Sequence, residues 1–222
     1  MNKLGLKQKE YEGFQLQRAI VGPIATNVIF LINTESKEIL LVDPGDEGER
    51  LIQYIKNQGY SLQGILLTHG HEDHILAAEE LREAFCCPIL AHEAEVALLA
   101  DPRMNCSAMV GTPCSLAADR LIKDGEEITL GGMTFQVIHT PGHTAGSCCY
   151  YFPAYELLIS GDTLFHGSYG RTDLPTGNDS QILTSVQKLL RELPEETLVW
   201  PGHMDRTFIA FEKLYNPLAE RV

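Results

Sequence analysis

Apolar and polar positions fall in blocks along this chain, and the blocks read as strands followed by helices. After a polar opening of fifteen residues, VIFLI (28–32) and EILLVDPG (38–45) are apolar runs of strand length, the second closed by the turn residues Asp-Pro-Gly. Leu51, Ile52 and Ile55 then recur at helical spacing in a segment that starts at Gly48 and stops before Gly59. GILLTHG (64–70) returns to strand character and breaks at Gly70. DHILAAEELREAF (73–85) brings Ile75, Leu76, Ala78, Leu81 and Phe85 near one face and predicts a single helix, with Asp73 at its start where a carboxylate suits the unpaired N–H groups. CPIL (87–90) predicts a short strand and HEAEVALLA (92–100) a helix. Residues 101–115 form a mixed loop, longer than most connections and of a kind that can cover a site.

The second half repeats the theme. EITL (127–130), MTFQVIHT (133–140), GSCCYYF (146–152) and ELLIS (156–160) predict strands separated by Gly-Gly, Pro-Gly and Pro-Ala turns. Ile182, Val186, Leu189, Leu190 and Leu193 mark an amphipathic helix before the strand TLVW (197–200). Two sheets sandwiched between helices, an α/β (α+β) class, fit this order. There is no linker-like or low-complexity segment and no period of 20–50 residues, and only some twenty residues follow Trp200, too few for a further domain.

Composition narrows the partners. Lys and Arg number 17 against 30 Asp and Glu, a formal charge of −13, so nucleic acid and anionic membranes are poor partners. A chain of 222 residues with 44% hydrophobic residues can bury a core of ordinary size, as one domain or at most two small ones. No apolar run approaches the roughly 20 residues that span a bilayer, and MNKLGLKQKEYEGFQ lacks the apolar segment of a signal peptide. A cytoplasmic protein is expected. The six cysteines, two adjacent pairs and two singles without a CxxC, read as free and mostly buried thiols.

The histidines carry the chemistry. His69, His71, His74, His143 and His203 stand beside Gly, Asp, Thr or Pro at expected strand ends, where a core histidine would stand in an apolar run. His69-Gly70-His71-Glu72-Asp73-His74 places four candidate ligands in six positions straight after GILLT. In an extended turn residues 69 and 71 address one point and Asp73 and His74 a neighbouring one, a geometry for two ions or for one ion with a polar support. Nitrogen and oxygen donors suit zinc, iron or manganese. His143, Asp162 and His203 follow the same rule, each past an apolar strand and beside a glycine. Thr68, Thr140 and Thr144 are candidates for tethering these loops, His139 for supporting the ligands from behind, and His92 for starting a helix.

These residues resemble the metallo-β-lactamase superfamily, whose HxHxDH signature matches His69, His71, Asp73 and His74, with the later His, Asp and His at 143, 162 and 203. The resemblance implies a four-layer αββα metallo-β-lactamase sandwich, a single domain over 1–222 with its core from about 15 to 215. It also implies two divalent metal ions, zinc first and iron or manganese next. One would be held by His69, His71 and His143, the other by Asp73, His74 and His203, with Asp162 bridging and Asp73 a candidate for orienting the nucleophile. GDTLFHGSYGRTDLPTG (161–177) and PGHMDRTFIAFEKLYNP (201–217) are similar to the glyoxalase II-like hydroxyacylglutathione hydrolases in their short form. The final loop departs from that branch in reading His203-Met204 and Arg206-Thr207, and the 19 residues after His203 leave no room for its helical glutathione-binding domain.

The activity implied by this resemblance is hydrolysis of a small thioester, a small-molecule substrate met by a water activated between two ions. Arg171 is the candidate for a substrate carboxylate or, equally, for an internal pair with Asp173; Tyr169, Phe165 and His166 are candidate substrate contacts. The alternative within the same fold is a persulfide dioxygenase with one iron. Weaker alternatives are a lactone or phosphoester hydrolase and a non-enzymatic metal or redox module. Oligomeric state is not legible in this pattern.

Overall fold

In a computed structural model of the chain, which describes residues 7–219, the apolar runs stack into two sheets. The first half forms β1 (Lys7–Tyr11), β2 (Phe14–Val21), β3 (Thr26–Asn33), β4 (Glu38–Val42), α1 (Gly48–Gln58), β5 (Ser61–Leu66), α2 (Glu72–Ile75), α3 (Ala78–Phe85), β6 (Ile89–His92), α4 (Val96–Ala100) and β7 (Arg120–Ile122). These strands make a seven-stranded sheet in sequence order, antiparallel from β1 to β4 and parallel from β4 to β7. The second half forms β8 (Glu127–Leu130), β9 (Met133–His139), β10 (Cys148–Phe152), β11 (Leu157–Gly161), β12 (Leu164–Phe165), β13 (Ser168–Tyr169), α5 (Asp179–Glu192), β14 (Leu198–Pro201), β15 (Thr207–Phe208) and α6 (Ile209–Tyr215). Its main sheet runs β15-β14-β11-β10-β9-β8, while β12 and β13 pair as a separate hairpin.

Strand alternation sorts the apolar residues into layers. Ile29, Leu31, Leu40 and Val42 face Val137, Tyr150, Phe152, Ile159 and Trp200 between the sheets. Phe30, Ile39, Leu41 and Ile65 pack on Leu51 and Ile55 of α1 and Leu81 of α3. Cys149, Leu158 and Val199 pack on Ile182, Val186 and Leu189 of α5. Strands buried on both faces read as continuous apolar runs, and the result is the expected helix–sheet–sheet–helix sandwich. Each such buried Leu, Ile or Val contributes about 1.5–3 kcal/mol. Capping agrees: Asn178 accepts the Gln181 N–H at the start of α5, and Gly59 ends α1 in the left-handed conformation.

Three expectations need correction. The polar opening hides β1 and β2: Gln17 and Arg18 are buried in β2 because the Tyr54 hydroxyl donates to Gln17, and Arg18 donates to Asn27 and to the Met204 carbonyl. The helix over 73–85 is two helices. Gly45 lies so close that a Cβ there would stand 1.4 Å from the Asp73 carbonyl oxygen, and the Ala77 N–H turns to Pro44 O instead of continuing the ladder. Within 92–100, His92 ends β6, and its ring accepts the Ala94 N–H to start a 3-10 turn over Glu93–Glu95 ahead of α4. The residues after Trp200 add β15 and α6 to the sandwich. All six cysteines are free, and four are buried.

Candidate metal centre

Four loops meet at one edge of the two sheets. The loop after β5 supplies His69 and His71, and α2 begins at Glu72, so its single turn carries Asp73 and His74. The β9–β10 turn supplies His143, and Asp162 and His203 follow the ends of β11 and β14. Gly202 lets the last two loops close: a Cβ there would lie 2.2 Å from Asp162 Oδ1 and 2.7 Å from the His74 ring.

Beside the buried set Asp43, His69 and His74, two triads of donor atoms result. In the first, His143 Nε2 stands 2.9 Å from His71 Nδ1 and 3.2 Å from His69 Nε2. In the second, Asp73 Oδ2 is 3.2 Å from His74 Nε2 and 3.1 Å from His203 Nε2, and the two ring nitrogens are 3.4 Å apart. Asp162 lies between them, with Oδ2 3.6 Å from His143 and 3.5 Å from His203, and Oδ1 3.5 Å from His74.

A divalent ion fits this arrangement on three counts. Donors bound about 2.0–2.1 Å from a tetrahedral ion stand about 3.3 Å from one another, close to the edges of both triads. Outer partners also point the ring lone pairs inward. His143 Nδ1 donates to the Arg171 carbonyl (2.7 Å), His74 Nδ1 to Asp43 Oδ2 (3.0 Å), and His69 Nδ1 to Thr68 Oγ1 (3.2 Å), whose own proton goes to Asp43. Finally, Asp162 Oδ1 is buried without a hydrogen-bond partner, and one such buried carboxylate oxygen calls for a cation.

Charge follows the same logic. Burial, then the neighbouring His74, His143 and His71, hold the His69 pKa well below its ordinary value. Burial and His143 bring that of His71 down to about 3. Both rings are therefore neutral and able to donate a lone pair. Burial works against a charge on His74, but Asp73, Asp162 and Asp43 outweigh it and raise its pKa. That proton neutralises the same carboxylates a divalent ion would. Burial opposes the charge on Asp73 as well, yet His74 and a hydrogen bond from His203 keep it well below the usual carboxylate range.

The triads open onto a cavity of about 610 Å³ that is also lined by Phe165, Tyr169 and Arg171. The Arg171 guanidinium is exposed and donates through Nε and Nη2 to Asp173, at 2.6 and 2.7 Å, which is the internal pair. His166 is not among the lining residues and instead meets the Phe211 ring edge-on at 4.6 Å. His139 stacks on His92 at 3.9 Å and bonds the Ala145 carbonyl. Thr140 pairs with Thr163, and Thr144 with Ser147.

Sequence reasoning missed four supports. Asp43 holds His74 and both the amide and hydroxyl of Thr68; the signal was there, a carboxylate directly after the run EILLV. Thr26 donates to Asp73 at 2.8 Å. Asn27 donates to the Pro201 and Met204 carbonyls and fixes the His203 loop. Glu95 is buried and accepts the amides of Gly70 and Gly146, both at 2.8 Å. Burial raises its pKa against the pull of those donors.

A helix–sheet–sheet–helix sandwich with paired His/Asp triads at the sheet edge defines a class of metal-dependent enzymes. Residues 21–203 match the family described as the metallo-beta-lactamase superfamily, and the chain belongs to it. The Bacillus subtilis (strain 168) protein named probable metallo-hydrolase YqgX is 43% identical over 203 residues, covering 90% of this chain and 95% of the relative. Hydroxyacylglutathione hydrolase GloC of Haemophilus influenzae is 34% identical over 190 residues, 84% of this chain and 90% of that one. The crystal structure of BLEG-1 B3 metallo-beta-lactamase superposes with a TM-score of 0.86 at 41% identity, over 91% of this chain and 98% of that one. The chain is a metal-dependent hydrolase of this superfamily. Among the described residues no helix is long and apolar enough to cross a membrane.

Proposed function

We propose that the chain hydrolyses a small thioester, in a reaction similar to that of the hydroxyacylglutathione hydrolases, and acts in the cytoplasm as one domain spanning 1–222. The observation that carries this reading is the pair of donor triads, joined across Asp162 and open to a single cavity. His69, His71, His143 and Asp162 hold one ion in this proposal, and Asp73, His74, His203 and Asp162 the other, with zinc the first choice for this donor set. When bound, the ions supply a water of lowered pKa and a Lewis-acidic face for the carbonyl oxygen. Asp162, whose carboxylate lies between the two sets, would help hold both. Thr26, His74 and His203 all engage Asp73 through Oδ2, which leaves Oδ1 to accept a hydrogen bond from the attacking water. Asp73 would therefore be placed to orient that water. A leaving thiol with a pKa of about 8.5 needs no strong acid.

Metal analysis of protein purified without added metal tests this, combined with hydrolysis of S-lactoylglutathione and oxygen uptake on glutathione persulfide. About two ions per chain with thioester cleavage is the expected result. One iron per chain with oxygen uptake would overturn the proposal in favour of a dioxygenase.

A further inference from the structure

Three segments distant in sequence bring exposed apolar side chains to the mouth of the metal cavity. Ile24 in the β2–β3 turn is 54% exposed, Met109 and Val110 in the 101–115 loop 76% and 54%, and Met204 beyond β14 54%. Large apolar groups scattered singly over a surface need no explanation, but four gathered at one opening do. Deeper in the wall Phe165 and Leu174 continue the apolar surface. Arg171 is the one Lys or Arg among the lining residues, and its Nε and Nη2 already bond Asp173. The only guanidinium the cavity offers a substrate carboxylate is therefore one already paired.

A second cavity, of about 240 Å³, shares Ile24, Glu72, Asp73 and Val110 with the first and runs on past Pro23 to Leu76. It is a slot leading away from the ligand Asp73, between the β2–β3 turn and the 101–115 loop. Its charged lining residues are Asp46, Glu72 and Asp73, all carboxylates. A thiolate leaving in that direction would meet Asp46 and Glu72, two like charges, which disfavours it. An uncharged chain would meet Pro23, Ile24, Leu76 and Val110.

We propose that this slot receives the acyl group of the substrate and that the group is uncharged and apolar, so that the preferred thioesters are those of neutral aliphatic acids. The inference rests on the thioester reading of the metal centre and narrows it. Recognition then comes from the acyl arm and not from carboxylates on the thiol.

The test uses the metal-loaded protein and two chain-length series from acetyl to octanoyl. Alkanoyl hydroxamates, which grip a divalent ion whatever the natural reaction, are titrated by calorimetry; N-acetylcysteamine thioesters are assayed for hydrolysis beside S-lactoylglutathione. Affinity and kcat/KM should each rise about two- to fourfold per added methylene until the slot is full, as burial of part or all of a CH₂ predicts. Val110→Asp and the shorter, polar Ile24→Thr should flatten both slopes at unchanged metal content. Flat slopes in the wild-type protein, with thioesters still cleaved, would overturn the slot and leave the reaction standing. A slope in hydroxamate affinity without cleavage of any thioester would uphold the slot and overturn the reaction.

Discussion

Removing the Glu95 carboxylate should loosen the metal centre without touching a ligand. Its two oxygens accept the Gly70 amide, which lies between His69 and His71, and the Gly146 amide, just past His143, so one side chain ties a loop of the first sheet to a loop of the second. Glu95→Ala leaves two buried amides unpaired, at about 1–3 kcal/mol each. The carboxylate was itself costly to bury, as its raised pKa records, so a net loss of about 2–4 kcal/mol is expected. For a chain of this length that corresponds to a melting temperature lower by roughly 5–15 °C. Glu95→Gln keeps the shape but turns one acceptor into an NH₂ group facing an N–H, and should lose about half as much. Calorimetric melts of both variants, with metal content measured after dialysis, read the two effects together. The reasoning is refuted if Glu95→Ala melts within a degree of wild type and retains its metal.

Asn27→Ala should free the Pro201 and Met204 carbonyls and loosen the His203 side of the centre, seen as lower metal content than wild type after mild chelation. Arg171→Ala should leave the melting temperature within roughly 2 °C, because an exposed pair contributes little, and leave KM for S-lactoylglutathione unchanged; a large rise in KM would restore Arg171 as a carboxylate anchor. In the metal-free protein, His69 and His71 have folded pKa values below their unfolded ones. The stability they contribute is complete above the unfolded histidine pKa of about 6.5 and is lost as pH falls toward 3. His74 and His203, whose values are raised, add nothing to the slope below about 6.5, where both states are protonated. Urea midpoints of the metal-free protein should therefore fall steadily from pH 6.5 to 5, and a rising midpoint would contradict this.

Much of the donor cluster was legible because the residues proposed as ligands stand directly behind strands buried on both faces. Runs such as GILLT and ELLIS cannot be mistaken for surface, so a histidine or aspartate that ends one is conspicuous. What stayed hidden depends on partners elsewhere in the chain. Gln17 and Arg18 look like surface residues until Tyr54, Asn27 and the Met204 carbonyl are seen to satisfy them. No local pattern could reveal that Gly45 would interrupt a helix beginning near residue 73. Glu95 reads as one more polar residue in HEAEVALLA, since its worth lies in two amides from other loops. His166 shares a hairpin with Phe165, yet the turn between β12 and β13 sends it to Phe211 and away from the cavity.

The ligands run from residue 69 to residue 203 and leave two different sheets, so the centre comes into being only after both halves have docked. Contacts between residues so far apart form late in folding. An interaction absent from the folding transition state slows escape from the native state and does little to hasten arrival there. Metal supply would accordingly set how long each molecule survives heat or protease, while the rate at which new chains reach the sandwich stays nearly the same.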